Sequence, residues 1–226
     1  MSDGVRLDLH VHSAYSPDSR LALAAIVDRL SFAGLQGFAL TDHNTVAGHR
    51  ALAELQARNP SYLLVPGVEV STADGHILGY GVAAAPPAHR PAAETVEWIR
   101  DHGGEAVVAH PFRRTHGVGR RRATTLPVRA LETRNGHNSE LANARAELLA
   151  AQRGLGGTGG SDGHELRDLG RAFTQCPDSV ASVDDVLELL RRGRSRGDGQ
   201  SLAFPGRARL SLRTGLLFVS RGFRPL

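Results

Sequence analysis

The 226-residue chain has no lysine; all 27 of its basic side chains are arginine. That absence excludes a Schiff-base lysine and a P-loop lysine, and with them class I aldolase chemistry and Walker-type nucleotide hydrolysis. Cysteine occurs once, as Cys176, so neither an internal disulfide framework nor a zinc site of several thiolates is available. Aromatic residues make up only 5% of the chain, which weighs against a base-stacking platform for single-stranded nucleic acid. No run of 18 uncharged apolar residues occurs, so no transmembrane helix is expected. The first ten residues, MSDGVRLDLH, hold two acids and no apolar stretch, so no signal peptide is expected and the cytoplasm is the expected location. Oligomeric state is not legible.

What is present is histidine, 11 in all, much of it clustered with Asp and Glu. Charge is uneven. Residues 191–226 carry nine Arg and one acid, Asp198, for a net +8, and the preceding 190 residues are net −4. The basic end suggests contact with phosphates or an acidic surface, against the plainer reading of a solvated terminus.

Short apolar runs alternate with helical periodicity. Strands are expected at 5–10, 37–41, 62–70 (broken near Pro66-Gly67), 75–82, 105–110, 129–133 and 156–160. Helices are expected at 21–32, 46–58, 92–102, 139–153 and 183–192, with an Arg-rich loop over 113–122. A short strand or helix is expected near 210–219. Strand–helix alternation argues for α/β, in a single domain. The His, Asp and Glu residues fall at or just past strand C-termini, where α/β barrels place their sites. A doubly wound sheet would do the same, but the first strand is not followed by GxGxxG. Polar groups from five or more strand ends meet most simply inside a closed ring, so a barrel is favoured.

In DLHVHS, His10 and His12 are two apart on a strand and face one side, so both imidazoles can reach one ion. Asp8 shares that face and can orient a ligand from behind. Asp18 lies in a turn before the first helix, where N-capping is the competing role. In ALTDHN, His43 is a ligand candidate, Asp42 is read as holding a hydrogen bond to a neighbour, and Asn44-Thr45 as capping the next helix. Glu69 sits in an apolar strand, where a carboxylate is costly unless paired or on a metal. His76 opens the following strand, with a buried structural histidine as the alternative. His110 ends a third apolar strand, and Arg113 and Arg114 follow with guanidinium forks suited to phosphate. Glu132 and Asn135 end another strand, with His137 expected to face solvent. Asp162 and His164 close the series in GGSDGHE. Such ligands suit Mn, Zn, Fe or Mg.

DLHVHSAYSPDS, ALTDHN, VPGVEVST with GHILGYG, VAHPFRR, LETRN and GGSDGHE resemble the ordered motifs of the PHP (polymerase and histidinol phosphatase) superfamily, over roughly residues 5–195. The resemblance implies a distorted (β/α)7 TIM-like barrel over 1–195; the basic segment 196–226, which has no counterpart in that family pattern, is expected to be packed on or to extend from it. The resemblance also implies a metal-dependent phosphoesterase with two or three divalent ions per chain. His10, His12, Glu69 and Asp162 would hold the first ion. Glu69 would bridge to a second, also held by His76 and His110, and Asp18, His43 and His164 would hold a third. His10, His12, Glu69, Asp162 and His164 are the catalytic candidates, Arg113 and Arg114 the phosphate-binding ones, and Asp8, Asp42 and Asn135 their supports. The expected substrate is a phosphorylated small molecule such as a nucleotide or histidinol phosphate, hydrolysed by metal-activated water. The alternatives are nucleic-acid end processing, as in polymerase-associated members, and a non-catalytic metal- and phosphate-binding protein. The sequence departs from the family in carrying Asn44 where Asp is frequent after TDH.

Overall fold

A computed structural model describes residues 4–201. In chain order the elements are β1 (Val5–Val11), α1 (Leu23–Phe32), β2 (Gly37–Leu40), α2 (His49–Arg58), β3 (Leu63–Thr72), β4 (Gly75–Tyr80), α3 (Ala92–Asp101), β5 (Glu105–Val108), α4 (Gly119–Thr125), β6 (Ala130–Asn135), α5 (Glu140–Arg153), β7 (Gly156–Gly160), β8 (Ala172–Cys176), α6 (Val183–Arg191) and β9 (Arg196–Gly199). The nine strands form one sheet in the order β7-β6-β5-β4-β3-β2-β1-β8-β9. It curls into a nearly closed α/β barrel. The chain just past β7 bonds β1: the Asp162 N–H donates to the His10 carbonyl (2.8 Å) and the His12 N–H to the Gly163 carbonyl (3.1 Å). No described helix is long and apolar enough to cross a membrane.

The distortion has a local origin. β3 does not break at Pro66-Gly67; it changes partner there, pairing parallel with β2 through Pro66 and antiparallel with β4 from Gly67 onward. Proline lacks an N–H for a ladder, and a Cβ on Gly67 would stand 3.0 Å from the Gly79 carbonyl and 3.1 Å from that of Leu40. β4 is antiparallel to both β3 and β5, and β8 is antiparallel to β1. The strands β8 and β9 and the helix α4 were not expected: the Arg-rich stretch coils into α4 from Gly119, and β8 alternates buried and half-buried residues over only five positions. The element expected near 210–219 lies outside the described residues.

Helices pack by their apolar stripes. Ile26, Val27 and Leu30 of α1 are buried, and the chain leaves α1 through Gly34 at φ 76°, where a side chain would be strained. α5 starts at Ser139, whose hydroxyl accepts the Ala142 N–H; α6 starts with a capping box between Ser182 and Asp185. Val186, Leu187 and Leu190 of α6 join Leu7, Leu9 and Tyr80 in one buried cluster. Full burial of one such side chain contributes roughly 1.5–3 kcal/mol. The Tyr80 hydroxyl is satisfied by donating to the Leu9 carbonyl at 2.8 Å.

Candidate metal centre

The strand ends deliver the polar side chains to one buried place. β1 supplies His10 and, one residue beyond it, His12. His43 follows β2, Glu69 lies in β3 and His76 in β4, and His110 and Asp162 each follow their strands by two residues. His10, His12 and His110 have no measurable exposure, and Glu69 has 1%. Positive φ recurs around the site: His110 and Asp162 lie at 26° and 55°, and Asn44, a residue type that tolerates the left-handed region, at 55°. Such conformations cost about 1–3 kcal/mol each and gather at functional sites.

Glu69 is the hub. Its Oε1 lies 2.7 Å from His76 Nδ1 and 2.9 Å from His110 Nε2. Its Oε2 lies 3.1 Å from His10 Nε2, 3.3 Å from His12 Nε2 and 3.3 Å from His43 Nδ1. Asp162 Oδ1 stands 3.5 Å from His10 Nε2 and 3.2 Å from His12 Nε2. Asp18 Oδ2 meets His164 Nε2 at 2.9 Å and His43 Nε2 at 3.4 Å. Four donor groups result: His10, His12, Glu69 and Asp162; His12, Asp18, His43 and His164; His43, Glu69 and His76, with His110 on the same Glu69 oxygen as His76; and His137, Asp162 and His164.

These groups fit cations. The buried His10 Nε2 and His12 Nε2 make no hydrogen bond, although carboxylate oxygens stand 3.1–3.5 Å away, and His12 Nδ1 makes none either. The atoms therefore aim past one another at a common point. Ligands at about 2.1 Å from one ion stand roughly 3.0 Å apart in an octahedron and roughly 3.4 Å apart in a tetrahedron. Electrostatics agrees. Burial disfavours the charged form of Glu69, yet His10, His76 and His43 hold its pKa well below the usual range. Burial likewise opposes ionised Asp162, and Arg113 and His10 overcome it. Burial opposes a charged His12, but Asp162, Glu69 and Asp18 raise its pKa to about 10. The pocket thus holds an excess of buried negative charge that draws protons onto imidazoles, the position a cation would take. Burial drives His43 and His110 the other way, to about 4 and about 3, leaving neutral imidazoles suited to ligation.

The supporting residues divide unevenly. Asp8 touches no imidazole; it accepts main-chain N–H groups from His10 (3.3 Å), Ser161 (2.8 Å) and Gly170 (3.1 Å), tying together the segments that carry the donors. Burial raises its pKa to about 6. Asp42 accepts from the Ser13 N–H (2.6 Å) and hydroxyl (2.8 Å). Asn135 donates to Glu132 (3.0 Å) and to Asp162 Oδ2 (3.3 Å). The two arginines part company. Arg113 donates through Nη2 to Asp162 Oδ2 (2.5 Å) and Asn135 Oδ1 (2.6 Å), and through Nε to Asn138 (3.1 Å). Arg114 is exposed.

Two local expectations need correction. His137 does not face solvent: it is 6% exposed, with Nε2 3.5 Å from Asp168 and its ring stacked on His164. Asn44-Thr45 does not cap a helix, because α2 begins at His49 after Gly48. Asn44 instead pairs with Ser71 across to β3. For Asp18 the competing N-cap role falls away, since α1 begins after Ala22. Glu132, which the sequence places only at a strand end, belongs to the site as well. Its Oε1 accepts from His10 Nδ1 at 2.8 Å, and its Oε2 accepts the His110 N–H at 2.8 Å. The available signal was the one used for Glu69, an acid within an apolar strand.

The family profile of the PHP domain matches residues 8–148, and a profile described as PHP-associated matches residues 140–195. The chain belongs to the PHP domain family. A Methanocaldococcus jannaschii relative of this PHP protein, without assigned function, is 30% identical over 118 residues, covering 48% of this chain and 68% of the relative. The phosphoribosyl 1,2-cyclic phosphate 1,2-diphosphodiesterase of Eggerthella lenta is 38% identical over 87 residues, 36% of this chain and 32% of that enzyme. Among solved structures, PsfC from Pseudomonas syringae superposes with a TM-score of 0.69 at 19% identity, over 96% of this PHP chain and 98% of PsfC. That likeness establishes a shared fold.

Proposed function

We propose that this PHP protein is a metal-dependent phosphoesterase acting on a small phosphorylated substrate. The carrying observation is the convergence of buried imidazole nitrogens, several of them without a hydrogen bond, and carboxylate oxygens inside the barrel mouth. Two or three bound divalent ions, of the manganese, zinc, iron or magnesium kind, would neutralise phosphate charge and bring the pKa of water toward neutrality. His10, His12, Glu69 and Asp162 would hold one ion, Glu69 with His76 and His110 a second, and Asp18, His43 and His164 a third. The protein's own contribution is positional. Glu132 keeps the proton of His10 on Nδ1, leaving the Nε2 lone pair toward Glu69 and Asp162. Arg113, 23% exposed and anchored on one edge, is a fixed fork beside Asp162 for a phosphate oxygen. The diphosphodiesterase relative supports ester cleavage at phosphorus.

The test is a panel of phosphomonoesters and phosphodiesters, oligonucleotide ends included, run on metal-stripped protein with manganese, zinc or magnesium restored. Metal-dependent turnover of small esters is expected. His10→Ala and Asp162→Ala should lower it by several orders of magnitude while the far-UV spectrum stays unchanged. Wild-type turnover in either variant defeats the site. Cleavage confined to oligonucleotides, with binding that weakens steeply with salt, would replace the small substrate by a nucleic-acid end. Metal uptake without turnover of any ester would leave a binding protein.

A further inference from the structure

His116 lies outside every donor group described above, yet its backbone is strained and its ring is held against a candidate ligand. It has φ 64°, a left-handed conformation that is strained for a non-glycine residue. Its loop is pinned at three places: the Arg113 N–H donates to the His110 carbonyl (2.9 Å), the Gly119 N–H to Pro111 (3.0 Å) and the His76 N–H to the His116 carbonyl itself (2.9 Å). Next door, a Cβ on Gly117 would stand 2.9 Å from the Arg113 nitrogen, so the turn closes tightly only around glycine. The outcome is a flat stack. The His116 and His76 rings lie 4.7 Å apart between centroids and within 4° of parallel.

An imidazole that gives one nitrogen to an ion needs its orientation fixed by something else, usually a hydrogen bond on the other nitrogen. His10 has Glu132 for this, and His164 has the Asp162 carbonyl at 2.8 Å. His76 instead hydrogen-bonds through Nδ1 to Glu69, on the side of the metal cluster. We infer that His116 is the positioning residue of His76, its ring face fixing the plane in which His76 presents a nitrogen beside Glu69. This role rests on the metal-dependent reading proposed above. It works through the ring face, not through a nitrogen, and that is its testable signature.

The test is cobalt(II) titration of the full-length, metal-stripped protein, followed by calorimetry and by the visible spectrum. His116→Phe keeps a flat ring without nitrogen. His116→Asn tolerates the left-handed backbone without a ring, and His116→Gly removes both ring and strain. The Phe variant should bind within about twofold of wild type, whereas Asn and Gly should weaken one class of site about 10–100-fold. Wild-type affinity and spectrum in both ringless variants overturn the role. Equal losses in Phe and Asn overturn it too, because a nitrogen of His116 would then be the essential group. A wild-type protein that takes up no cobalt defeats the metal-dependent reading itself.

Discussion

Replacing Glu132 by Gln changes one oxygen for an NH2 and should disable the centre without unfolding the barrel. Three donors point at this carboxylate: His10 Nδ1 on Oε1 at 2.8 Å, and the His110 N–H at 2.8 Å and Asn135 Nδ2 at 3.0 Å on Oε2. An amide offers a single acceptor. With its oxygen turned toward His110 and Asn135, its NH2 faces His10 Nδ1, which must then accept. The His10 proton moves to Nε2, the atom 3.1 Å from Glu69 and 3.5 Å from Asp162, and the lone pair that a cation needs is gone. With the amide turned the other way, its NH2 meets two N–H donors, and a buried unsatisfied donor costs about 1–3 kcal/mol. The first arrangement is cheaper and keeps the fold. Loss of such a supporting group weakens metal binding about 10–100-fold, or about 1.4–2.8 kcal/mol. Calorimetric titration of metal-stripped Glu132→Gln with manganese or zinc measures this, with thermal melts of the metal-free protein as the control. Wild-type affinity in a folded Glu132→Gln protein would refute the tautomer argument.

The two neighbouring arginines should behave differently: Arg113→Ala should lower kcat/KM about 10–100-fold, the worth of a charged hydrogen bond, and Arg114→Ala should stay within about twofold. Equal effects in steady-state kinetics would contradict their separation. In metal-free protein His12 titrates near 10 when folded against an ordinary value of 6.5. Its contribution to stability is complete below pH 6.5 and is lost as pH rises toward 10. Melting temperatures of chelator-treated protein should therefore fall over that range and flatten once metal replaces the proton; no difference between the two melting series would count against the charge argument. Gly160 lets β7 pass against β1, and a Cβ there would meet the His10 Cβ and lie 2.6 Å from the His10 nitrogen. Gly160→Ala should cost about 1–3 kcal/mol and abolish metal uptake, read by thermal melting and metal analysis; unchanged uptake would show that β1 can yield.

Periodicity and spacing made most of the barrel legible, because the helices have clear apolar stripes and the parallel strands are short buried runs. β8 and β9 were less visible, since five residues of partial alternation and a four-residue strand, RGDG, carry little apolar signal. The partner change of β3 looked like a break because proline and glycine read identically in either case. At the site, residue types and their order exposed His10, His12, Glu69, His110 and Asp162 as candidates. Chemistry that depends on direction was hidden. Arg113 and Arg114 are adjacent and identical in type, and only the turn after His110 sends one of them to Asp162. His116 and His137 carry no local pattern at all; their roles come from a loop folded against β4 and a ring laid on His164.

The sequence by itself settled most of the elements, though not β8, β9 or α4, and which atoms are chemically able to bind a cation, since both follow from local composition and the alternation of side chains along a strand. The tertiary structure alone decided which of those atoms share a centre, which nitrogen of each imidazole faces it and which neighbours hold it there. Those are distances between residues up to 162 positions apart, as for Asp8 and Gly170, and they are set by the curl and register of the sheet.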